Sequence, residues 1–392
     1  MRAAVALFFA AMLAACTDQT PTRSPQMADL PNATTLKEQL AFTCTYEKDL
    51  LPPLDPEQNQ LFKRAVWIYK QNRLKDDPVE YAKAERLYRI AAAHGHYTAA
   101  HNLLLMILRD RSNAPGNIDF AVDMTEELVK RGIPQGYYDM GLLLHHGYGV
   151  KADEGASLQY FRKAADLGNV EAQYYVGDKL TELSISNPVP YGIGYEMIRC
   201  AADQGHAKAA SVTGTHIKNN VIFDNKGSYA DAVKYYHLSV KAGSSQAAYK
   251  LHNSFLCTDP SDELYYLGLE KDEERSRRYN AISDILDGYD YLNATVDEID
   301  EIVPLPPAKL PPWDGEIKWV KEWKKGEPPP LPTEERIAEM ALEKSLNPET
   351  GWPVKIDLQN VRLLDPETGE RMRLKLETER LVSKLLWGMR AK

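Results

Sequence analysis

The chain has 392 residues, 44% hydrophobic and 26% charged, with 47 Lys and Arg against 56 Asp and Glu for a formal charge of −9. That size accommodates two or three domains or one elongated array. The acidity argues against non-specific binding to nucleic acid or to anionic lipid.

The first element is a leader. Met1-Arg2 carries one positive charge, and Ala3 to Ala15 is uninterrupted and apolar. Thirteen helical residues cover roughly 20 Å, too short for a bilayer, so the run reads as the apolar stretch of a secretory signal peptide. It ends in "LAAC", Leu13 to Cys16, followed by the polar "TDQTPTRSP". This ending resembles a bacterial lipobox, which implies cleavage before Cys16 and lipid attachment to it. The resemblance also implies a periplasm-facing protein, with Thr17 in place of an aspartate pointing to the inner leaflet of the outer membrane. In an oxidising compartment the remaining cysteines, Cys44, Cys200 and Cys257, allow one internal bridge. Cys44 and Cys257 flank the central region, whereas Cys200 sits at a usually buried helical position. The candidate pair is Cys44–Cys257; the alternative is three buried free thiols.

Residues 16–56 contain prolines and threonines and read as a tether and an extended segment, with a short helix near Lys37–Phe42. Glu57 to Lys75 has helical apolar spacing at Leu61, Ala65, Ile68 and Tyr69. It is expected to cap the array of helices on its C-terminal side.

An internal period dominates the next two hundred residues. Gly95, Gly132, Gly168, Gly205 and Gly243 stand 37, 36, 37 and 38 residues apart. Four positions after each glycine comes a small residue: Ala99, Gly136, Ala172, Ala209 and Ala247. Nine after, three units have a second glycine: Gly141, Gly177 and Gly214. Seven before, an apolar or aromatic residue is usual (Tyr88, Phe161, Ile198, Tyr236), with Thr125 the exception. Each unit reads as helix, turn, helix. The glycine ends the first helix in the left-handed region. The small residues allow two backbones to approach closely, and large side chains fill the gaps between pairs. One pair cannot bury its apolar face alone, so pairs stack.

Met140 to Gly177, with its Gly147-Tyr148-Gly149-Val150 loop, Asp153 and the Ala164-Ala165-Asp166-Leu167-Gly168 turn, resembles the Sel-one-like repeat, a relative of the tetratricopeptide repeat. The resemblance covers about residues 78–256. It implies an all-α, right-handed α-solenoid of helix pairs that serves as a binding scaffold rather than an enzyme. With the cap, the solenoid is expected over 57–256.

Residues 257–332 read as a helical and proline-rich domain. "DEERSRRYNAISDILDGYDYL" is one helix, "PLPPAKLPP" at Pro304 to Pro312 a stiff extended segment, and "WDGEIKWVKEW" a strand or turn. Asp272 to Trp323 resembles an uncharacterised domain that follows such repeats in proteobacterial lipoproteins. In 333–392 the turn signals "NPETGW" and "DPETGE" bracket alternating stretches. They predict a small α+β extension: a helix over Thr333–Ser345, a hairpin, and a final helix over Glu377–Trp387.

No catalytic signature is present: no G-x-S-x-G elbow, no phosphate loop, no H-E-x-x-H. His206-Ala207-Lys208 begins like a phospholipase D motif, but Thr213 stands where its aspartate belongs. His206 follows a repeat glycine as His96 does, and both are read as turn residues. His145-His146 and His94, His96 and His101 are not expected to bind metal, because adjacent helical side chains diverge by about 100°. Asp272-Glu273-Glu274 reads as a solvated helix start. No cofactor is expected.

Tyrosine (22) far outnumbers phenylalanine (8). Aromatic rings that keep one polar atom suit wet grooves and partner surfaces. Tyr137, Tyr138, Tyr160, Tyr174, Tyr175, Tyr195 and Tyr235 are the candidate contacts; the alternative reading of each is a partly buried packing residue. Lipobox proteins with degenerate Sel-one-like repeats are similar to immunity proteins encoded beside phospholipase effectors of type VI secretion. That similarity implies a protein that binds the toxin in the periplasm and occludes its active site. The alternatives are an envelope adaptor for a cell-wall or polysaccharide enzyme, and an unrecognised enzyme in the C-terminal region.

Overall fold

A computed structural model describes residues 33–112, 117–182, 188–224, 227–357 and 362–364. Signal peptide, Cys16 and the expected helix over Glu377–Trp387 lie outside the described residues. The chain divides into two units, Met1–Ala41 and Phe42–Lys392. Within the first, helix α1 spans Ala33–Leu40, in a segment otherwise read as extended.

The second unit opens with a strap, Phe42 to Tyr46 in extended form and a 3-10 turn at Glu47–Asp49. Among the described residues, eleven helices come next: α2 Pro56–Asn72, α3 Pro78–Ala93, α4 Tyr97–Leu108, α5 Asn117–Lys130, α6 Pro134–His146, α7 Glu154–Asp166, α8 Val170–Glu182, α9 Pro188–Asp203, α10 Ala207–Asp224, α11 Tyr229–Lys241 and α12 Ser245–Ser254. Each packs on the next, as stacked pairs require. The fold is an α-solenoid.

All five periodic glycines end a helix at positive φ, between +72° and +101°. At Gly168 the ending is a two-bond cap: Asn169 N donates to Ala164 O (3.0 Å) and Gly168 N to Ala165 O (3.0 Å). This 6→1, 5→2 pattern is the Schellman motif, and Gly95, Gly132, Gly205 and Gly243 repeat it. The residue after the glycine then caps the next helix. His96 Nδ1, Asn169 Oδ1, His206 Nδ1 and Ser244 Oγ each accept the amide of the small residue three positions on, at 3.0–3.1 Å. Ile133 cannot do this, and Pro134 at the first helical position leaves one fewer amide to satisfy. His96 and His206 are thus helix caps, as the turn context indicates.

The second glycine of each unit makes room for the large residue of the next. A Cβ at Gly141 would stand 2.7 Å from the Phe161 ring, one at Gly177 2.8 Å from the Ile198 side chain, and one at Gly214 3.2 Å from the Tyr236 ring. The first unit inverts the sizes: Leu104 takes the glycine's place, and the position that would face it is Thr125 rather than an aromatic. Both are buried.

After α12, the chain covers the last repeat and then returns to the first. Helix α13, Glu273–Gly288, starts at the cap Asp272, whose Oδ1 accepts Arg275 N. Tyr279 and Ile282 join a core with Tyr236, Val240 and Leu251, and His237 bonds both Tyr279 Oη (2.7 Å) and Asp300 (3.0 Å). A short helix α14 spans Ile299–Ile302. The segment Pro304–Pro312 is not one straight rod, because Ala308 N bonds Leu305 O in a turn that contains a cis Pro306-Pro307 bond. The strand or turn expected at 313–323 is partly helix: α15 covers Lys318–Lys325 and closes at Gly326 in the left-handed region. Trp319 and Trp323, one turn apart, stack at 5.7 Å, a pairing that favours helix over strand.

Helix α16, Glu334–Glu343, packs against α3. Its Ile337, Met340 and Ala341 enter the core built by α2 to α6. Arg336 meets Glu57 at 2.9 Å, Arg86 meets Glu334 at 2.8 Å and the Pro348 carbonyl at 2.7 Å, and His94 Nε2 contacts Met340 O at 2.8 Å. Strands β1 Lys355–Asp357 and β2 Arg362–Leu364 then pair antiparallel, with Lys355 opposite Leu364.

Candidate functional site

The turns and second helices of the repeats present a row of polar residues, and the strap lies across them. The Thr45 carbonyl accepts from Gln173 Nε2 (2.9 Å) and Gln204 Nε2 (3.3 Å). Gln204 Oε1 in turn accepts Glu47 N (3.0 Å), while its Nε2 reaches Gln173 Oε1 (2.8 Å) and the Gly168 carbonyl (3.2 Å). Two glutamine amides therefore read the strap's backbone much as a neighbouring strand would. The close approach requires Gly168, where a Cβ would stand 2.5 Å from Glu47 N.

The row continues toward the first repeats. Asn169 Nδ2 donates to the Glu47 carboxylate (3.3 Å) and to Gln135 Oε1 (3.3 Å). Gln135 Nε2 donates to Asp139 Oδ1 (2.9 Å), which also accepts from His101 Nδ1 at 2.7 Å. Burial opposes a charge on His101. The carboxylate of Asp139, with Glu171 and Glu47 behind it, outweighs burial and raises its pKa above the ordinary histidine value. Burial likewise pushes the Glu47 carboxyl up, against the opposing hydrogen bond from Asn169. Glu171 is held below the usual glutamate value by its hydrogen bond from His206. The face thus sets acid and base side by side around the strap, whose backbone its amides hold.

The strap also corrects the expected disulfide. Cys44 pairs with Cys200, not with Cys257. Thr45 and Glu47 bind Gln204 at the end of α9, which sets Cys44 beside Cys200 at a Cα separation of 5.6 Å. Cys257 stays a free, half-buried thiol beyond α12. Cys200's burial, which argued for a solitary core thiol, reflects the strap covering it.

The seven tyrosines are all half-buried and fall into separate groups. Tyr138 and Tyr175 flank the Phe161 ring at 5.5 and 4.6 Å, a packing role between units. Tyr137 and Tyr160 meet each other at 6.2 Å between α6 and α7. Tyr174 stacks on His206 at 4.6 Å, with Lys208 Nζ 5.1 Å from its ring. Tyr195 stacks on His216 at 3.8 Å, whose Nδ1 meets Tyr191 Oη at 3.0 Å. Tyr235 donates to Asp203 at 2.9 Å. His145 and His146 pack edge to face at the end of α6. The residues that reading tyrosines alone misses are Gln135, Asp139, Asn169, Gln173 and Gln204. Their signal is their place one to seven residues after a repeat glycine, or just before one.

Comparison with known proteins agrees with this architecture. The Sel1 repeat model matches residues 74–96 and 134–169, and a domain of unknown function, DUF6396, matches residues 247–354. The chain is similar to the crystal structure of immunity protein PA5088 from Pseudomonas aeruginosa, at 28% identity and a TM-score of 0.52 over 68% of this chain and 95% of that one. It is similar to P. aeruginosa 5086 at 29% identity and a TM-score of 0.50, with the same coverage. Immunity protein Pa5087 from P. aeruginosa is 30% identical over 95% of its length, with a TM-score of 0.49 and 68% of this chain covered. No curated protein matches. On the family match and the spacing of its units, the chain carries Sel1 repeats.

Proposed function

We propose that this protein is an immunity protein that binds and neutralises a toxic phospholipase effector of a type VI secretion system by covering its active-site mouth. The observation that carries the reading is the likeness to immunity protein PA5088, 28% identical over 95% of that chain. The leader of the sequence supports a periplasmic site of action, anchored through lipid on Cys16 to the outer membrane. The phospholipase as target rests on the resemblance of the chain to repeat lipoproteins encoded beside such effectors.

Within this reading, Tyr174, Tyr195 and Tyr235 are the contacts of choice. Each keeps part of its ring at the surface and is held by a histidine or an aspartate. Rings fixed before binding lose little freedom on docking. The Phe161-centred pair, Tyr138 and Tyr175, is committed to packing.

The test is the lipase activity of the effector encoded beside this protein, measured with increasing amounts of the purified protein. Stoichiometric inhibition is expected, weakened at least tenfold by Tyr195→Ala. Full lipase activity at a tenfold excess of the protein refutes the phospholipase reading. A deletion strain that survives a toxin-delivering sibling as well as its parent refutes immunity altogether.

A further inference from the structure

A cavity of about 160 Å³ lies between α2, α3 and α4 on one side and the Tyr291–Asn293 turn on the other. That is room for several water molecules and too little for an acyl chain. Its lining includes Lys70 from α2, Arg73 just after α2 and Arg109 just after α4, together with Asn102 and Asn293. No carboxylate lines it, and none of the three cations forms an ion pair among the described residues. Other cations on or beside these elements do meet an acid: Lys83 with Glu80, Arg86 with Glu334, Arg111 with Asp76. The buried hydroxyl of Tyr69, another lining residue, also has no hydrogen-bond partner among the described residues.

Three cations lining one cavity without a counter-charge repel one another, and burying a cation costs free energy unless an anion enters. Burial draws the Lys70 ammonium below the ordinary lysine value with nothing opposing it. Guanidinium forks match tetrahedral oxyanions bidentately, and amide and phenol groups can donate to the remaining oxygens. One carboxylate would leave most of this charge unbalanced, whereas a phosphate dianion compensates two of the three.

We propose that the cavity is a binding site for a phosphate dianion, either free or as the terminal monoester group of a small phosphate ester or lipid. The site does not depend on the toxin-binding reading. Its ligand touches both the first helices of the array and the domain that comes after the last, so occupancy joins two parts of the chain some two hundred residues apart.

The experiment is calorimetric titration of the full chain with inorganic phosphate at an ionic strength held constant with sodium chloride. Saturable one-to-one binding is expected, weakened at least tenfold in Arg73→Ala/Arg109→Ala. Arg109→Ala alone, exposed beyond the helix end, is expected to weaken binding while leaving the helical circular dichroism unchanged. Absence of saturable binding to the native chain overturns the proposal, as does equal binding by the folded variants. Sedimentation with vesicles separates the sources. Capture by phosphatidic acid but not phosphatidylcholine vesicles, competed by free phosphate and lost in the double variant, identifies a lipid headgroup. Phosphate binding without vesicle capture identifies a soluble ligand.

Discussion

Removing the Cys44–Cys200 bridge is the most quantitative test of the strap. The two cysteines are 156 residues apart, so the bridge closes a loop that contains most of the solenoid. In the chain-entropy treatment a loop of that length restricts the unfolded chain by about 17 cal/mol/K, or about 5 kcal/mol at 25 °C. Residual structure in the unfolded chain lowers this figure, and disulfides usually deliver about 2–4 kcal/mol. Cys44→Ala/Cys200→Ala is therefore expected to lose between about 2 and 5 kcal/mol in urea unfolding, while Cys257→Ala stays near the native value. Peptide mapping of the oxidised chain without reductant should recover Cys44 linked to Cys200. A loss under about 1 kcal/mol, or a Cys44–Cys257 peptide, would refute the reasoning.

Three further outcomes are expected. Gly168→Ala, with φ +93° and its new Cβ 2.5 Å from Glu47 N, should cost more than Gly205→Ala, with φ +94° and open space. The costs are about 3 kcal/mol against about 1, read by chemical denaturation. His96 is buried and its pKa is pushed down to about 4 by burial. Below the ordinary value near 6.5 the unfolded chain takes up a proton that the folded chain refuses, so stability falls as pH drops from 6.5 to 4. The loss is about 3 kcal/mol, and His96→Asn, which keeps a helix cap, should abolish most of it in melts at about pH 7 and pH 4. Thr125→Phe should destabilise by about 1–3 kcal/mol through overpacking, and Leu104→Gly in the same chain should restore part of the loss. Additive losses in that double-mutant cycle would show that the two positions do not face each other.

The repeat was legible because a helix-ending glycine, a following cap and a small residue three positions later are all local requirements, printed at one period. Gly168, Asn169 and Ala172 can be read in their roles without any knowledge of their neighbours. The disulfide was not legible. Cys200 looks like any buried repeat residue, and only the bonds from Thr45 and Glu47 to Gln204 bring Cys44 to it. Helix α15 was obscured by the tryptophans of "WDGEIKWVKEW", whose propensity suits strands as well; their one-turn spacing was the better guide. The polar row was hidden for a different reason. Gln135, Gln173 and Gln204 carry no motif, and their meaning comes from an extended segment far earlier in the chain that offers its carbonyl to two of them. The tyrosines were visible by composition alone, which cannot distinguish Tyr175, spent on Phe161, from Tyr195, supported by His216.

The return of the C-terminal segment to the first helices has an evolutionary corollary. Arrays of this kind ordinarily lengthen or shorten by whole units, since each contacts only its neighbours. Here Arg86 holds Glu334 and the Pro348 carbonyl, and Arg336 holds Glu57, while His237 holds Asp300 at the far end. A duplicated or deleted unit would change the span between those two anchorages and break one of them. In this chain the number of units is therefore tied to the two anchorages: inserting or deleting one unit is expected to cost at least one of them.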